Sequence, residues 1–170
     1  MSAVRIERVR EEDWAALRDV RLRALLDSPD AFGSTHEREA GYSDDDWREW
    51  ARDGSAGVRE TCLLARVDGE AAGMVAAYVQ DGAEHAHLIG MWVDPAARRR
   101  GVGGLLLEAI VGWATGAGLR SVRLDVALGN PDAARLYEGR GFSPTGRSRR
   151  YEDRPLLVTR ELELRLEDEG

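Results

Sequence analysis

The chain has 170 residues, and 24 basic against 31 acidic side chains give it a formal charge of −7. With 43% hydrophobic and 32% charged residues, its composition excludes a disordered chain, and its length predicts a single domain over residues 1–170. No apolar run approaches the about 18 residues of a membrane helix, the first residues lack the apolar centre of a signal peptide, and the acidic balance disfavours nucleic acid.

We therefore expect a cytoplasmic protein with neither a membrane nor a nucleic acid as its partner. Cys62 is the only cysteine, which excludes an internal disulfide and a multi-cysteine zinc site. All 24 basic residues are arginine. A Schiff-base lysine and the lysine of a nucleotide-binding P-loop are therefore excluded.

The N-terminal half carries signals for a strand, two or three helices and a hairpin. Acidic residues open a helix after the first strand, and the segment Asp27-Ser28-Pro29-Asp30 ends it. In that segment Ser28 can cap another short helix and Pro29 can start it. Ser43 and Asp46 have the spacing of a capping box, and Asp68-Gly69 is a hairpin-turn signal. The predicted elements are a strand at 3–9, a helix from Glu11 to the 27–30 segment, a helix after Ser43, and strands at 61–67 and 70–80.

The C-terminal half alternates between strand and helix patterns. The predicted elements are a strand at 84–93, a helix at 103–116, a strand at 121–127, a short helix at 132–140 and a strand at 155–165. This order predicts a mixed sheet with helices packed on it, which is an α+β fold.

The segment from Leu88 to Leu106 carries the strongest chemical signal. An apolar strand ends, a loop with three arginines and the run Gly-Val-Gly-Gly follows, and a helix begins. Free amides at a helix start, its positive dipole and glycines that permit close approach together form an anion cradle. The run lacks both the Gly-Lys-Ser/Thr of a P-loop and the last glycine of a dinucleotide fingerprint, where Leu106 stands. On these residues alone, a solvated arginine cluster beside a helix cap is the alternative.

Two motifs at this spacing resemble the GCN5-related N-acetyltransferases (GNAT). They are Arg98-x-x-Gly101-x-Gly103 after the apolar strand and, downstream of Asn130, Ala133-x-x-Leu136-Tyr137-x-x-x-Gly141-Phe142. The resemblance covers nearly the whole chain. It implies the GNAT fold, with a mixed, mostly antiparallel central sheet flanked by helices, and acetyl-CoA as cosubstrate without a metal. Homodimers are common in this family.

The resemblance also implies roles for individual residues. The backbone at Met91, Trp92 and Val93 would bind the pantetheine arm, and a backbone N–H of Met91 or Trp92 would stabilise the oxyanion. Asn130 and Ala133 would lie against the cofactor arm, and Tyr137 would protonate the leaving thiolate. The residues expected to hold the pyrophosphate are Arg98, Arg99, Arg100, Gly101, Val102, Gly103 and Gly104. Taken singly, Asn130 is equally a helix cap and Tyr137 a core aromatic.

The general base is less clearly marked. By strand alternation, His87 and Met91 are expected to share one face of the strand, together with His85, Ile89 and Val93. His87 stands where part of the family carries a glutamate base, and an imidazole pKa of about 6.5 suits that role. A structural histidine is the alternative, and the weaker base candidates are Glu84, Glu37 and Glu39. His85-x-His87 also has the spacing of a metal pair, but no third ligand can be named.

In this family the early helices and their connection usually wall the acceptor site. Acidic and aromatic side chains there would suit a cationic amine, although the aspartates are equally typical of a helix N-terminus. The side chains concerned are Phe32, His36, Glu37, Glu39, Tyr42, Asp44, Asp45, Asp46 and Trp47. The sequence thus predicts acetylation of a small-molecule amine by direct attack on the thioester. The alternatives are a protein or peptide acetyltransferase and a sensor that binds acetyl-CoA without turnover.

Overall fold

Seven strands and five helices make up residues 3–167, the part of the chain that the computed structural model describes. The strands are β1 (Val4–Arg8), β2 (Glu60–Val67), β3 (Glu70–Tyr78), β4 (His85–Val93), β5 (Ser121–Ala127), β6 (Ser143–Tyr151) and β7 (Arg154–Arg165). The helices are α1 (Trp14–Asp27), α2 (His36–Ala40), α3 (Asp44–Ala56), α4 (Val102–Gly116) and α5 (Pro131–Glu138). Within these residues, no helix combines the length and apolar character that crossing a bilayer requires.

The strands form one sheet in the order β1-β2-β3-β4-β5-β7-β6. All neighbouring strands are antiparallel except β4 and β5, which run parallel. The predicted mixed, mostly antiparallel sheet flanked by helices is therefore confirmed. In the described residues, β4 and β5 pair only where His85–His87 meets Ser121–Arg123. Beyond that point the two strands separate, and a cleft opens in the middle of the sheet.

Two apolar cores lie on opposite faces of this sheet. Leu106 and Ile110 of α4 pack on one face, and Leu17 of α1 packs on the other. Strand β2 contributes to both cores, since Leu63 faces the α4 side and Leu64 the α1 side. Burial on both faces explains why the central strands are apolar along nearly their whole length.

Most predicted elements are found within a few residues of their expected bounds. The capping box is confirmed: Ser43 Oγ accepts a hydrogen bond from the Asp46 amide at 3.1 Å, and Asp46 Oδ2 accepts one from the Ser43 amide at 2.8 Å. Strand β6 and helix α2 were missed. All of β6 except Tyr151 is exposed at a sheet edge, so its sequence has no apolar alternation. Helix α2 has five residues, too few to show a helical period.

A bulge in β4 overturns one expectation about the site. Gly90 has a φ of +65°, and both Gly90 and Met91 lie opposite a single β3 residue, between the pairs Ile89–Ala76 and Trp92–Met74. The extra residue inverts the alternation of side chains. Met91 consequently packs on the α4 side of the sheet, whereas His87 lines a cavity on the other side. The prediction that His87 and Met91 share one face is wrong.

Candidate active site

Two cavities adjoin each other along the second half of β4. The first, here called the loop cavity, has a volume of about 410 Å³ and lies between residues 91–93, the turn that begins α4, and α5. The second, here called the sheet cavity, has a volume of about 350 Å³ and lies between residues 30–34, residues 87–90 and the ends of β5, β6 and β7. Ala31 lines both cavities. Along β4 the boundary between the two cavities falls at the Gly90 bulge, because Gly90 lines the sheet cavity and Met91 lines the loop cavity.

The turn before α4 is built as an anion cradle. Arg99 and Gly101 have φ values of +65° and +77°, which lead the chain sharply into the helix. The amide of Leu105 donates to the Gly101 carbonyl at 3.1 Å, so the amides of residues 102–104 precede the first intrahelical bond. These amides and the dipole of a 15-residue helix favour a bound anion at this end.

The structure places nearly all the residues predicted to bind the cofactor around the loop cavity. Those that line it are Met91, Trp92, Val93, Arg98, Arg99, Gly101, Val102, Gly103, Gly104, Asn130 and Ala133. Arg100 is exposed on the same turn, outside the lining. The β5-facing edge of residues 91–93 borders the cleft where β4 and β5 no longer pair. That edge leaves backbone groups available to an extended ligand.

Asp27 holds this turn in place and was missed in the sequence analysis, which treated it only as a helix stop. Its Oδ2 accepts hydrogen bonds from Trp92 Nε1 at 3.0 Å and from Arg98 Nη2 at 2.6 Å. Arg98 Nε also donates to the Val93 carbonyl at 2.9 Å. The hydrogen bond from Trp92, followed by those from Ser28 and Arg98, keeps the pKa of Asp27 below its usual value. Much of the Arg98 guanidinium is thus committed to positioning the turn.

Tyr137 lies deeper than the residues that line the loop cavity. Asn130 caps α5 by accepting a hydrogen bond from the Ala133 amide at 3.2 Å. Ala133 lines the cavity, and Tyr137, four residues later, projects from the same face of the helix. The Tyr137 ring is 6% exposed and packs edge-on against Phe142. Burial raises the pKa of the Tyr137 phenol, so its hydroxyl stays protonated at neutral pH.

His87 lines the sheet cavity beside a carboxylate. Its Nε2 lies 3.6 Å from Asp125 Oδ2, and its ring centroid lies 5.4 Å from that of Tyr78. Burial lowers the pKa of His87, an effect that the charge of Asp125 partly opposes and that of Arg149 reinforces. The imidazole is therefore neutral at pH 7, with a lone pair that can accept a proton.

The other base candidates lie outside these cavities. Glu39 is buried in a bidentate ion pair with Arg21, with distances of 2.7 Å and 2.9 Å, which commits both of its oxygens. Glu37 and Glu84 are exposed, and Glu84 lies 3.4 Å from Arg120. Across residues 3–167, no three His, Cys, Asp or Glu side chains are grouped so that they could hold a metal ion.

The predicted acceptor wall is only partly in place. Phe32 lines the sheet cavity, whereas Trp47, a residue of α3, is fully buried. Tyr42 and Asp46 line a separate surface cavity with Trp50. Asp44, Asp45 and Asp46 form the first turn of α3. Their negative charges are explained by the dipole at this helix N-terminus, which was the alternative to a role in binding an amine.

Comparison of the sequence with known proteins points to one family. The model of the acetyltransferase (GNAT) family matches residues 11–142. The ribosomal protein bS18-alanine N-acetyltransferase of Salmonella typhimurium is 32% identical over 105 residues, which are 62% of this chain and 70% of that protein. Aminoglycoside N(6')-acetyltransferase type 1 of Klebsiella aerogenes is 34% identical over 100 residues, 54% of this chain and 66% of the relative.

Solved structures share the fold over nearly the full length. A GNAT-family acetyltransferase from Streptococcus pneumoniae superposes with a TM-score of 0.85 at 21% identity, covering 97% of this chain and 100% of the other. The yncA protein of Salmonella typhimurium, solved with its cofactor acetyl-CoA, superposes with a TM-score of 0.79 at 18% identity, covering 99% of this chain and 96% of that protein. At these identities the likeness shows the shared fold.

Proposed function

Because this chain belongs to the GNAT family of N-acetyltransferases, we propose that it transfers the acetyl group of acetyl-CoA to the primary amine of a small molecule. In that reaction the amine nitrogen bonds to the thioester carbonyl carbon, the carbon–sulfur bond breaks, and the proton lost by the amine balances the thiol that leaves. The observation that carries the proposal is the meeting of the two cavities at Gly90, with the anion cradle on one side and His87 on the other.

The loop cavity fits the phosphate end of CoA. The amides of residues 102–104 and the helix dipole would bind the pyrophosphate, and Arg99 would supply a cation beside it. The backbone at Met91 and Val93 would hydrogen-bond the pantetheine arm in the cleft, since β5 does not pair there. The Asn130 side-chain NH₂ would donate to the same arm while its Oδ1 caps α5.

The groups around the bulge suit the chemical step. A backbone N–H of Met91 or Trp92 would stabilise the oxyanion of the tetrahedral intermediate. His87 would remove a proton from the attacking amine, directly or through a water, because burial keeps the imidazole neutral. Tyr137 would protonate the departing sulfur, since a buried phenol is un-ionised at neutral pH and carries the proton that the thiolate needs.

The size of the sheet cavity favours a small acceptor. Its volume of about 350 Å³ is at the lower end of the about 300–1,000 Å³ of small-molecule sites. Of the two relatives named above, one is named for a ribosomal protein and the other for an aminoglycoside, so acceptor size differs within the family.

A panel of acceptors tests the proposal. The protein is incubated with acetyl-CoA and each of a set of small primary amines, amino sugars and peptides with a free N-terminus, and release of CoA thiol is measured. We expect thiol release with at least one small amine and none with the peptides. Release with peptides alone would indicate a protein acetyltransferase. CoA binding without release for any acceptor would indicate a sensor.

Replacing His87 by alanine tests the base. We expect kcat at pH 7 to fall by about a hundredfold, the lower end of the range for general-base catalysis, because the amine must then lose its proton to solvent. In the parent protein kcat should rise with pH through the His87 pKa, which burial holds below 6.5, and this acidic limb should vanish in the variant. The measurement is kcat against pH at saturating amine. An unchanged acidic limb would exclude His87 as the base.

A further inference from the structure

Two hydroxyl groups in the wall of the sheet cavity have no hydrogen-bond partner among the described residues. They belong to Ser34, on the connection between α1 and α2, and to Thr159, on β7. Thr159 is 5% exposed. A buried hydroxyl that stays unpaired is destabilising, so its place in a cavity wall points to a ligand that completes its hydrogen bonds.

Arg149 stands beside one of these hydroxyls. It lies directly opposite Thr159 in the ladder between β6 and β7, so the two side chains share a face with Cβ atoms about 4.5–5.5 Å apart. The Arg149 side chain is 61% exposed, and its Nη1 is 4.0 Å from Asp125 Oδ2, beyond hydrogen-bond distance. Its contact with Tyr151 uses only part of a guanidinium that has five N–H donors.

The charged groups of the cavity lie on different strands of the sheet and come close to one another. Asp125 on β5 lies beside His87 on β4, and Arg149 on β6 comes within 4.0 Å of Asp125. Asp30 is the other carboxylate of the lining. The other cation of the lining, Arg21, is already neutralised by its bidentate pair with Glu39. The cavity thus offers an acidic group beside the proposed base and, on β6 and β7, a cation next to a hydroxyl.

We propose that the acceptor is an amine that also carries a carboxylate, as an amino acid does, and that Arg149 and Thr159 bind this carboxylate. The inference rests on the proposed function, since it concerns the acceptor of that reaction. The amine end faces His87 and Asp125, and the carboxylate accepts hydrogen bonds from the guanidinium and from the Thr159 hydroxyl. An anion between a guanidinium and a hydroxyl accepts a hydrogen bond from each, so both donors gain a partner.

Matched acceptors test the subsite. Leucine, leucinamide and 3-methylbutylamine form one set, and phenylalanine, phenylalaninamide and phenethylamine form the other. We expect Arg149→Gln to lower the ratio of kcat/KM for the amino acid to that for its decarboxylated amine by about tenfold to a hundredfold, the range for hydrogen bonds to charged groups. Thr159→Val should lower the same ratio severalfold. The fraction of active protein cancels in each ratio, and the different basicities of the two amines cancel when the ratio of a variant is divided by that of the parent.

The matched control is Arg150→Gln. Arg150 is the next residue of β6, is exposed, and points to the opposite face of the sheet. Its substitution therefore removes the same charge as Arg149→Gln, but at a position outside the cavity. We expect the parent ratio in this variant. A ratio that is equal in the parent and in Arg149→Gln, or that falls equally in both arginine variants, would overturn the proposal.

A binding measurement separates this inference from the proposed function. N-acetylleucine is titrated calorimetrically into the protein saturated with CoA. Loss of binding in Arg149→Gln but not in Arg150→Gln supports the carboxylate subsite even if none of the amines is turned over, a result that would count against the proposed function alone. Absence of binding to the parent protein, or equal binding to both variants, contradicts the subsite.

Discussion

Replacing Glu39 by glutamine is expected to lower the free energy of unfolding by about 3–5 kcal/mol, because it leaves a buried guanidinium without its carboxylate. Arg21 and Glu39 are 8% and 4% exposed and form two parallel hydrogen bonds of 2.7 Å and 2.9 Å. The Arg21 guanidinium also lies 4.8 Å from the ring centroid of Phe32, which lines the sheet cavity. The substitution should therefore disturb the acceptor wall as well as global stability.

Urea unfolding measures this effect, with Glu37→Gln as the matched control. Glu37 is exposed on the same short helix, so its substitution should change the free energy of unfolding by less than about 0.5 kcal/mol. A double replacement, Arg21→Met with Glu39→Leu, should regain much of the loss because no unpaired charge remains buried. Equal urea midpoints for Glu39→Gln and Glu37→Gln would show that the Arg21–Glu39 ion pair contributes nothing to the free energy of unfolding.

Replacing Tyr137 by phenylalanine is expected to reduce kcat by at least about a hundredfold while the affinity for CoA stays nearly unchanged. The substitution removes only the hydroxyl, and the edge-on packing against Phe142 is kept. The buried phenol is un-ionised across the neutral range, so the parent protein presents a protonated donor. Without it, the thiolate must leave unprotonated or take its proton from water.

The measurement combines steady-state thiol release with calorimetric titration of CoA. Tyr42→Phe is the control, since Tyr42 is 39% exposed and lines neither the loop cavity nor the sheet cavity. That variant should retain the parent kcat. Full turnover by correctly folded Tyr137→Phe would remove Tyr137 from the mechanism.

Local signals in the sequence predict much of the fold. The capping box at Ser43, the hairpin turn at Asp68-Gly69 and the helix start after Gly101 each depend on residues within a few positions of one another. Such signals can be read from the sequence because the hydrogen bonds that they describe join residues close together in the chain. The residues that line the loop cavity were predictable for the same reason, since most belong to two short motifs.

Features that depend on distant contacts were not predictable. The hydrogen bonds of Asp27 with Trp92 and Arg98 join residues that are 65 and 71 positions apart in the sequence, and that of Arg21 with Glu39 joins residues 18 positions apart. The bulge at Gly90 was also missed, because a glycine in an apolar strand does not reveal whether the partner strand skips a residue. This single residue decides that His87 faces the sheet cavity while Met91 faces the α4 side.

A crystal structure of the protein with bound CoA tests the central claim most directly. We expect oxygens of the diphosphate within about 2.7–3.2 Å of amide nitrogens in residues 102–104, and the sulfur in the cleft between β4 and β5, beside the Tyr137 hydroxyl. A diphosphate bound elsewhere on the molecule, or a sulfur far from the phenol, would contradict the account.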